Sequence, residues 1–367
     1  MLVGMLLGRT RGVLALGRCL AGQGPLPLPG EWPEVETLAE EHHLSAALWG
    51  ALVGSQQREQ VPTDVAARLA RAHRENLVRN LLLRRQAVEA VSALNGAGVE
   101  PMLFKGALYL FDDTFTDRGS RMMADLDVVV RSGQLEAAVD ALGSLGYVPE
   151  PGKPFLHPHE LPLFAPGRPA PVELHTELGS PPVPQVIPAQ EVWARSELVE
   201  GGGVAFRAPS PRDRVIHNVI HAQVQDLNHA VGGLALRQLH TLAALSARQG
   251  HRIDWDEIAR TMERHGLGEV YRSYVYLARA LLHAPVPPAA GPRARLQMAW
   301  CLAFLELRWP ADVIRNLRFA FGSAYMDHLY AHGGSRFGRA RARARHAAHL
   351  WRQAGKGNLA DVRRRQR

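Results

Sequence analysis

A run rich in valine, Leu126–Val130, is the clearest strand signal in the chain, and Asp125 and Asp127 stand at its start. Alternate side chains of a strand lie on one face, so both carboxylates are expected to point the same way. Two carboxylates on one face repel each other unless a cation lies between them. Oxygen ligands of this kind suit Mg²⁺ (or Mn²⁺), so the pair predicts a divalent-metal site. A purely structural D-x-D pair stays open as the alternative.

The rest of the chain consists of short apolar runs and longer segments with helical periodicity. Val99–Phe104 and Val172–Leu178 read as further strands, and helical periodicity dominates on either side of them. This order predicts an α+β fold, in which a small mixed β-sheet of three or four strands is flanked by an N-terminal helical segment and a C-terminal helical domain. The predicted regions are 1–30 as a loosely packed N-terminal segment, 31–98 as helices, 99–207 as the sheet core, 208–335 as a helical domain and 336–367 as a basic tail.

Helix positions follow from apolar spacing and from Gly and Pro boundaries. The helices predicted in this way are Glu34–Trp49, a long one from Pro62 to Gly96, Ala107–Phe111, Ser132–Leu145, Pro211–Val224, Leu234–Ala247, Trp255–His265, Val270–Leu282, Arg295–Leu307 and Ala311–Phe321.

The positive charge of the chain is concentrated at its end. Residues 336–367 hold 11 Lys and Arg against one acid, which leaves 32 bases and 34 acids in the rest. An argument from basicity to an anionic partner such as nucleic acid or lipid head groups therefore applies to the tail alone, with a solvated tail as the alternative. Cys19 and Cys301 form no paired motif, which favours a reducing cytoplasm. Three arginines interrupt Met1–Leu20, so neither a membrane span nor a signal peptide is expected.

Other residues are candidates for the same site. A third acid is expected beside the two aspartates, and Glu173 offers it, with His175 on the same strand face. Lys105 and Gly106 lie at a strand-to-helix junction, where backbone N–H groups and a small residue favour phosphate. Arg121 lies just before the aspartates, where it can pair with a phosphate or hold the loop. The predicted nucleotide-binding residues are Lys105, Gly106, Ser120 and Arg121.

Several histidines remain. His157 and His159 precede Glu173 in a proline-rich loop and, with His175, are predicted to line the acceptor side of the site; a surface loop is the alternative. His217 and His221 share one helix face, but Asn218 stands where zinc proteases carry a glutamate. A packing role is therefore expected for this pair rather than metal binding.

The order of these motifs resembles an uncharacterised bacterial nucleotidyltransferase family of the DNA polymerase β-like superfamily. The matching segments are Leu103-Phe104-Lys105-Gly106-Ala107, Arg121-Met122, Asp125-Leu126-Asp127 with its valines, Leu142 with Gly146-Tyr147, and Val172-Glu173-Leu174-His175, and the likeness extends over about residues 31–290.

The resemblance implies that Asp125, Asp127 and Glu173 are the metal-binding acids, and that Lys105 and Gly106 lie near a triphosphate. It implies transfer of a nucleotide from an NTP such as ATP to an unidentified acceptor. The superfamily usually has a Gly-Ser pair upstream of its aspartates; here Gly119–Ser120 is too close to them and Gly106 too far. Thr241 stands where relatives usually carry an Asp. The alternatives are a non-catalytic nucleotide-binding or scaffold protein and a nucleic-acid-binding protein led by its tail.

Overall fold

The computed structural model describes residues 8–149, 160–201, 203–289, 291–307, 341 and 343–345. Two compact units divide the chain, Met1–Glu306 and Leu307–Arg367. In the second unit, Leu307 is described without regular structure, and residues 341 and 343–345 are helical. His157, His159, the predicted helix Ala311–Phe321 and most of the basic tail lie outside the described residues. The account below therefore concerns the first unit.

A mixed sheet of seven strands forms the centre of the described residues. The strands are β1 (Met102–Leu103), β2 (Leu126–Val129), β3 (Val148–Pro149), β4 (Glu160–Phe164), β5 (Val172–His175), β6 (Glu197–Gly201) and β7 (Val204–Ala208). They are arranged in the order β3-β4-β5-β2-β1-β7-β6. The α+β class is thus confirmed, whereas the expected three or four strands are too few. The hairpin β6–β7 was missed because β6 is an edge strand with mostly exposed side chains, and so has no apolar run.

Helices surround this sheet. They are α1 (Gly8–Leu20), α2 (Trp32–Glu41), α3 (Ser45–Gly54), α4 (Thr63–Gly96), α5 (Lys105–Tyr109), α6 (Leu135–Gly143), α7 (Val183–Val186), α8 (Ala189–Arg195), α9 (Pro211–Ile220), α10 (Asn228–Val231), α11 (Leu236–Gln249), α12 (Trp255–Arg264), α13 (Gly268–Leu282) and α14 (Pro292–Glu306). Of these described helices, none combines the length and the apolar character needed to span a bilayer.

Two apolar clusters pack on the sheet. Leu126 and Val128 of β2 belong to one cluster with the second half of α4, while Val129 belongs to the other, with Met102 and the helices of both flanks. Both faces of β2 are therefore buried, which explains why its sequence is almost continuously apolar. Asp127 shares the face of Val129, so its carboxylate is directed to the helical side of the sheet.

The long helix α4 links both clusters. Val65 and Leu69 near its start pack in the cluster of the helical flanks, whereas Leu83 and Leu94 pack under the sheet. Its 34 residues span about 50 Å at 1.5 Å per residue. The bounds predicted from Pro62 and Gly96 are confirmed.

The N-terminal helix α1 corrects the expectation of a loosely packed segment. Val13 and Leu16 are fully buried. Gly12 and Gly17 allow close approach: a Cβ on Gly17 would stand 1.7 Å from the backbone oxygen of Leu281 in α13, and one on Gly12 would meet Leu38 at 2.9 Å. The arginines that interrupt the apolar run are compatible with this packing, because Arg9 forms an ion pair with Glu34 of α2.

Two predicted helices are broken in the structure. The expected helix Glu34–Trp49 is divided into α2 and α3 at His43, whose φ of +54° is left-handed and ends a helix. The expected helix Pro211–Val224 ends as an α-helix at Ile220 and continues as a π-helical turn, His221–Gln225. Helices α11 to α14 agree with the predicted bounds to within a few residues, whereas the short helix α10 was not predicted.

Candidate functional site

The site starts from two parallel strands, β2 and β5. Asp127 is paired with Glu173, and Val129 is paired with His175. Paired residues on neighbouring strands face the same side, as do residues two apart on one strand. The register therefore brings Asp127, Glu173 and His175 onto one face, while Val172 and Leu174 are buried on the other, as expected.

Asp127 is the centre of this group. Its side chain is 1% exposed, the Nζ of Lys105 donates to its Oδ1 at 2.7 Å, and His175 Nε2 lies 3.1 Å from the same oxygen. Burial alone would raise the pKa of Asp127, but the charge of Lys105 and the hydrogen bond of His175 outweigh it and hold this pKa well below its ordinary value. Asp127 is therefore a carboxylate at neutral pH despite its burial.

Lys105 lies directly after β1, at the first residue of α5. Its φ of +45° is left-handed, a strained conformation for a residue other than glycine. Burial alone would lower the pKa of Lys105, but the charge and hydrogen bond of Asp127 outweigh it and raise this pKa. The next residue, Gly106, packs closely, since a Cβ there would lie 3.0 Å from the Cγ of Met123. Both residues line the same cleft as Asp127, and their contact with a nucleotide stays a prediction.

Asp127, Glu173 and His175 form a compact group of potential metal ligands. One ligand atom from each lies within 4.8 Å of the others. Two carboxylates and an imidazole fit a divalent cation such as Mn²⁺ or Mg²⁺, with the imidazole favouring the softer ion. His175, which the sequence assigned to the acceptor side, is thus part of the group.

Asp125 lies just before β2 and lines the cleft. Burial and the charge of Asp127 raise the pKa of Asp125, while Lys105 and Arg237 act in the opposite direction. The repulsion between Asp125 and Asp127 is that of two carboxylates on one face, as the D-x-D pattern predicts. Among the described residues, the compact group of ligand atoms does not include Asp125. Its role as a metal ligand stays a prediction.

The loop before the aspartates is fixed by α4. Asn80 donates to the carbonyl oxygens of Arg118 at 2.6 Å and Arg121 at 2.8 Å, and Asn76 donates to that of Gly119 at 2.5 Å. Ser120, predicted to contact a nucleotide, donates to Asp117 at 2.7 Å and so helps to close the loop on itself.

The side chain of Arg121 lines the cleft, and burial together with the charge of Arg237 lowers its pKa to about 10. It donates to the neighbouring carbonyl of Met122, and its Nε has no hydrogen-bond partner in the described structure. The sequence predicted that Arg121 either holds the loop or contacts a phosphate. Its free N–H donors still allow contact with a ligand.

The helical flank completes the cleft, which has a volume of about 160 Å³. Residues that the sequence did not single out as site residues line it, above all Asn218 of α9 and Arg237 and Gln238 of α11. His217 contacts Phe104, with ring centroids 4.4 Å apart, as expected of a packing residue. His217 and His221 also line the cleft. Periodicity places such residues on a helix but does not reveal which helix face meets the sheet.

Thr241 lines the cleft as well. Its hydroxyl donates to the carbonyl of Arg237 one turn earlier. The helical flank therefore presents a cation, Arg237, and a neutral hydroxyl on one face of α11.

The cleft thus joins carboxylates and cations in one space. The carboxylates of Asp125 and Asp127 can hold a cation, and Lys105, Arg121 and Arg237 can receive anionic groups. A metal-bound phosphate compound satisfies both requirements.

Comparison with known proteins agrees with this chemistry. Searches of curated proteins and of solved structures found no significant match. The profile of a family described as uncharacterised nucleotidyltransferase matches residues 29–283, which include α2, the whole sheet and α13. The chain therefore belongs to this uncharacterised nucleotidyltransferase family.

Proposed function

We propose that the protein is a divalent-metal-dependent transferase that moves a nucleoside monophosphate from an NTP to an acceptor, with release of pyrophosphate. Family membership supports nucleotidyl transfer. The observation that carries the proposal is the group Asp127, Glu173 and His175, which opens beside Lys105 and Asp125. We further propose that the core belongs to the DNA polymerase β-like superfamily, because acids on two neighbouring strands are the pattern of that fold.

In this proposal Asp127, Glu173 and either Asp125 or His175 hold the cation. When bound, such a cation activates the attacking oxygen and neutralises charge on the leaving group. The acceptor oxygen forms a bond to the α-phosphorus, the bond from that phosphorus to the bridging oxygen of the β-phosphate breaks, and pyrophosphate leaves.

The chain's own residues orient this reaction. Lys105 holds Asp127 in place at 2.7 Å and adds positive charge where the phosphates would lie. His175 fixes the same carboxylate from its other side at 3.1 Å. Because Asp127 is 1% exposed, the charges around it act in a low dielectric, which strengthens their effect on a developing negative charge.

The acceptor class proposed is a small molecule, a peptide or RNA. The cleft of about 160 Å³ is smaller than the roughly 300–1,000 Å³ of common ligand pockets. It therefore suits the phosphates and the reacting oxygen, while the nucleoside and the body of the acceptor extend beyond it.

The first test is thermal unfolding with each of the four NTPs, with and without Mg²⁺ or Mn²⁺, in wild type and Asp127→Asn. A ligand at about 100 times its Kd adds roughly 2.7 kcal/mol, which is readily measured. We expect a metal-dependent shift for at least one NTP and its loss in the variant. No shift with any NTP would favour the non-catalytic scaffold alternative.

The second test uses the NTP found in the first. The protein is incubated with candidate acceptor pools, and pyrophosphate release and a nucleotide mass adduct are measured together. Pyrophosphate without an adduct would indicate hydrolysis of the NTP rather than transfer.

A further inference from the structure

Helix α11 brings an arginine into the cleft that the proposed mechanism does not use. Leu239 and Leu242 of this helix are buried in the apolar cluster of the flanks. Arg237, Gln238 and Thr241 instead line the cleft. Arg237 therefore lies on the polar side of an amphipathic helix, and that side is directed to the site rather than to bulk solvent.

Arg237 and Arg121 are two cations that line the same cleft. Burial and the charge of Arg237 lower the pKa of Arg121, and burial lowers the pKa of Arg237, while the charge of Asp125 acts in the opposite direction on both. In the described part of the chain, neither guanidinium forms an ion pair. By contrast Arg214, which lines the same cleft, is paired with Asp112 at 2.7 Å.

Two like charges that are close and partly buried destabilise a protein unless something compensates them. Both arginines remain charged near neutral pH, since even the lowered pKa of Arg121 is about 10. Guanidinium groups match phosphate in geometry and bind it through paired hydrogen bonds. Asp125 offsets part of this repulsion through space, and an anion held between the two side chains would offset it by direct contact.

A separate observation on α9 indicates a ligand in the same cleft, on the side of Lys105 and Asp127. His217 is 5% exposed, lines the same cleft, and its Nε2 has no hydrogen-bond partner in the described structure. Buried polar atoms are nearly always paired, so an unpaired ring nitrogen beside a cleft indicates a partner that comes from outside the chain.

The N-terminal end of α11 also favours a bound anion. This helix has 14 residues, and Arg237 lies in its first turn, where the free N–H groups already give a positive potential. A cation is unfavourable at this end of a helix unless an anion is bound there. His43, between α2 and α3, also lies near the two arginines, because burial and the charges of Arg237 and Arg121 lower its pKa.

We propose that Arg121 and Arg237 form an anion-binding subsite that receives a phosphate group of the substrate, distinct from the cation site at Asp127. This inference deepens the proposed function, on which its catalytic meaning rests. The phosphate comes either from the end of the donor's triphosphate or from the acceptor. Both sources present the same chemistry to the two guanidinium groups.

The test measures anion binding directly, by isothermal titration calorimetry on the full chain. The probes are inorganic tripolyphosphate and inorganic phosphate, each in EDTA so that no divalent cation contributes. The variants are Arg237→Gln, Arg237→Lys and Arg248→Gln; Arg248 lies on the same helix, is exposed, and serves as the matched control. Arg237→Gln removes a repulsion from Arg121 together with an attraction to Asp125, so its thermal midpoint without ligand should stay close to that of wild type.

For Arg237→Gln we expect the Kd of the bound anion to rise about 10- to 100-fold, as for loss of a charged hydrogen bond. Arg237→Lys should lose less, and Arg248→Gln nothing. A loss confined to tripolyphosphate assigns the subsite to the donor. The alternative is that wild type still binds inorganic phosphate when tripolyphosphate is saturating. If Arg237→Gln loses that phosphate site, the subsite is assigned to the acceptor. If wild type binds neither anion, or Arg237→Gln binds both like Arg248→Gln, the proposal is overturned.

These outcomes are independent of the proposed function. Anion binding that is lost in Arg237→Gln, in a protein that transfers no nucleotide to any acceptor, would support the subsite and count against the transferase. Transfer with unchanged anion binding in the variant would do the reverse.

Discussion

Two groups of charges in the cleft differ in how they are compensated. The strand-borne group, defined here as Asp125, Asp127, Glu173 and His175, is held together by Lys105 and by its own contacts around Asp127. The arginine pair, Arg121 and Arg237, has no ion-pair partner in the described residues. The first group is arranged by contacts within the chain, whereas the proposed anion would complete the second. Positions for the cation and for the anion are therefore built by different means.

The largest effect is expected from Asp127→Asn, because this carboxylate connects Lys105, His175 and the proposed cation. Loss of its charge should reduce nucleotidyl transfer by about 10³-fold or more. Asp140→Asn, on the exposed face of α6, is the matched control and should retain full activity. Pyrophosphate release measures both variants. Activity of Asp127→Asn within tenfold of wild type would remove the strand-borne group from the mechanism.

A second prediction decides which residues belong to the cation site. The sequence favours Asp125, whereas the geometry favours His175, which lies in the compact group with Asp127 and Glu173. We expect His175→Asn to weaken Mn²⁺ binding at least about 10- to 100-fold, and Asp125→Asn to weaken it less. Calorimetry with Mn²⁺ alone measures both without any reaction. The opposite order would restore the three acids inferred from the sequence.

The strand-borne group could be predicted from the sequence and the arginine pair could not, for a physical reason. Alternation in a strand fixes which side chains share a face, so Asp125, Asp127, Glu173 and His175 follow from local spacing. Their pairing across β2 and β5 adds the register, which buried apolar neighbours such as Leu126 and Leu174 determine.

Arg237 entered the cleft through the packing of α11 on α9 and α13, which depends on contacts between helices. Its helix was predicted correctly within two residues at each end. The helix face that lines the cleft was not predicted, because buried leucines define only the face directed to the core. Similarly, edge strand β6 lacks an apolar run and was not predicted. The packing of α1 in the core was not predicted either, because it depends on the close approach of Gly17 to the backbone of α13.

A third prediction tests how the arginine pair is positioned. Asn80 is 2% exposed and fixes the backbone on both sides of the loop that carries Arg121. Asn80→Ala leaves two partly buried carbonyls without this donor and should lower the free energy of unfolding by about 1–3 kcal/mol. Asn76→Ala, one turn earlier, removes one such bond and should cost less. Urea unfolding measures both. A change below about 0.5 kcal/mol for Asn80→Ala would show that the loop is held by other contacts.

The smallest effect concerns His240, the neighbour of Arg121. Burial and the charge of Arg121 lower the pKa of His240 to about 4, so the folded protein keeps this ring neutral. In the unfolded chain it takes up a proton near pH 6.5. Between about pH 6.5 and 4 the unfolded state therefore binds more protons, and stability must fall as the pH is lowered through this range, by about 1–3 kcal/mol.

Thermal unfolding from pH 7 to 4.5 measures this effect. His240→Phe should flatten the profile, while His251→Ala, an exposed control, should leave it unchanged. Equal slopes for wild type and His240→Phe would contradict the assignment. Because the charge of Arg121 is one of the two causes, an anion bound beside it should offset part of the repulsion. The difference between wild type and His240→Phe should therefore shrink in saturating tripolyphosphate, and it should not shrink in Arg237→Gln, which lacks the second half of the anion site.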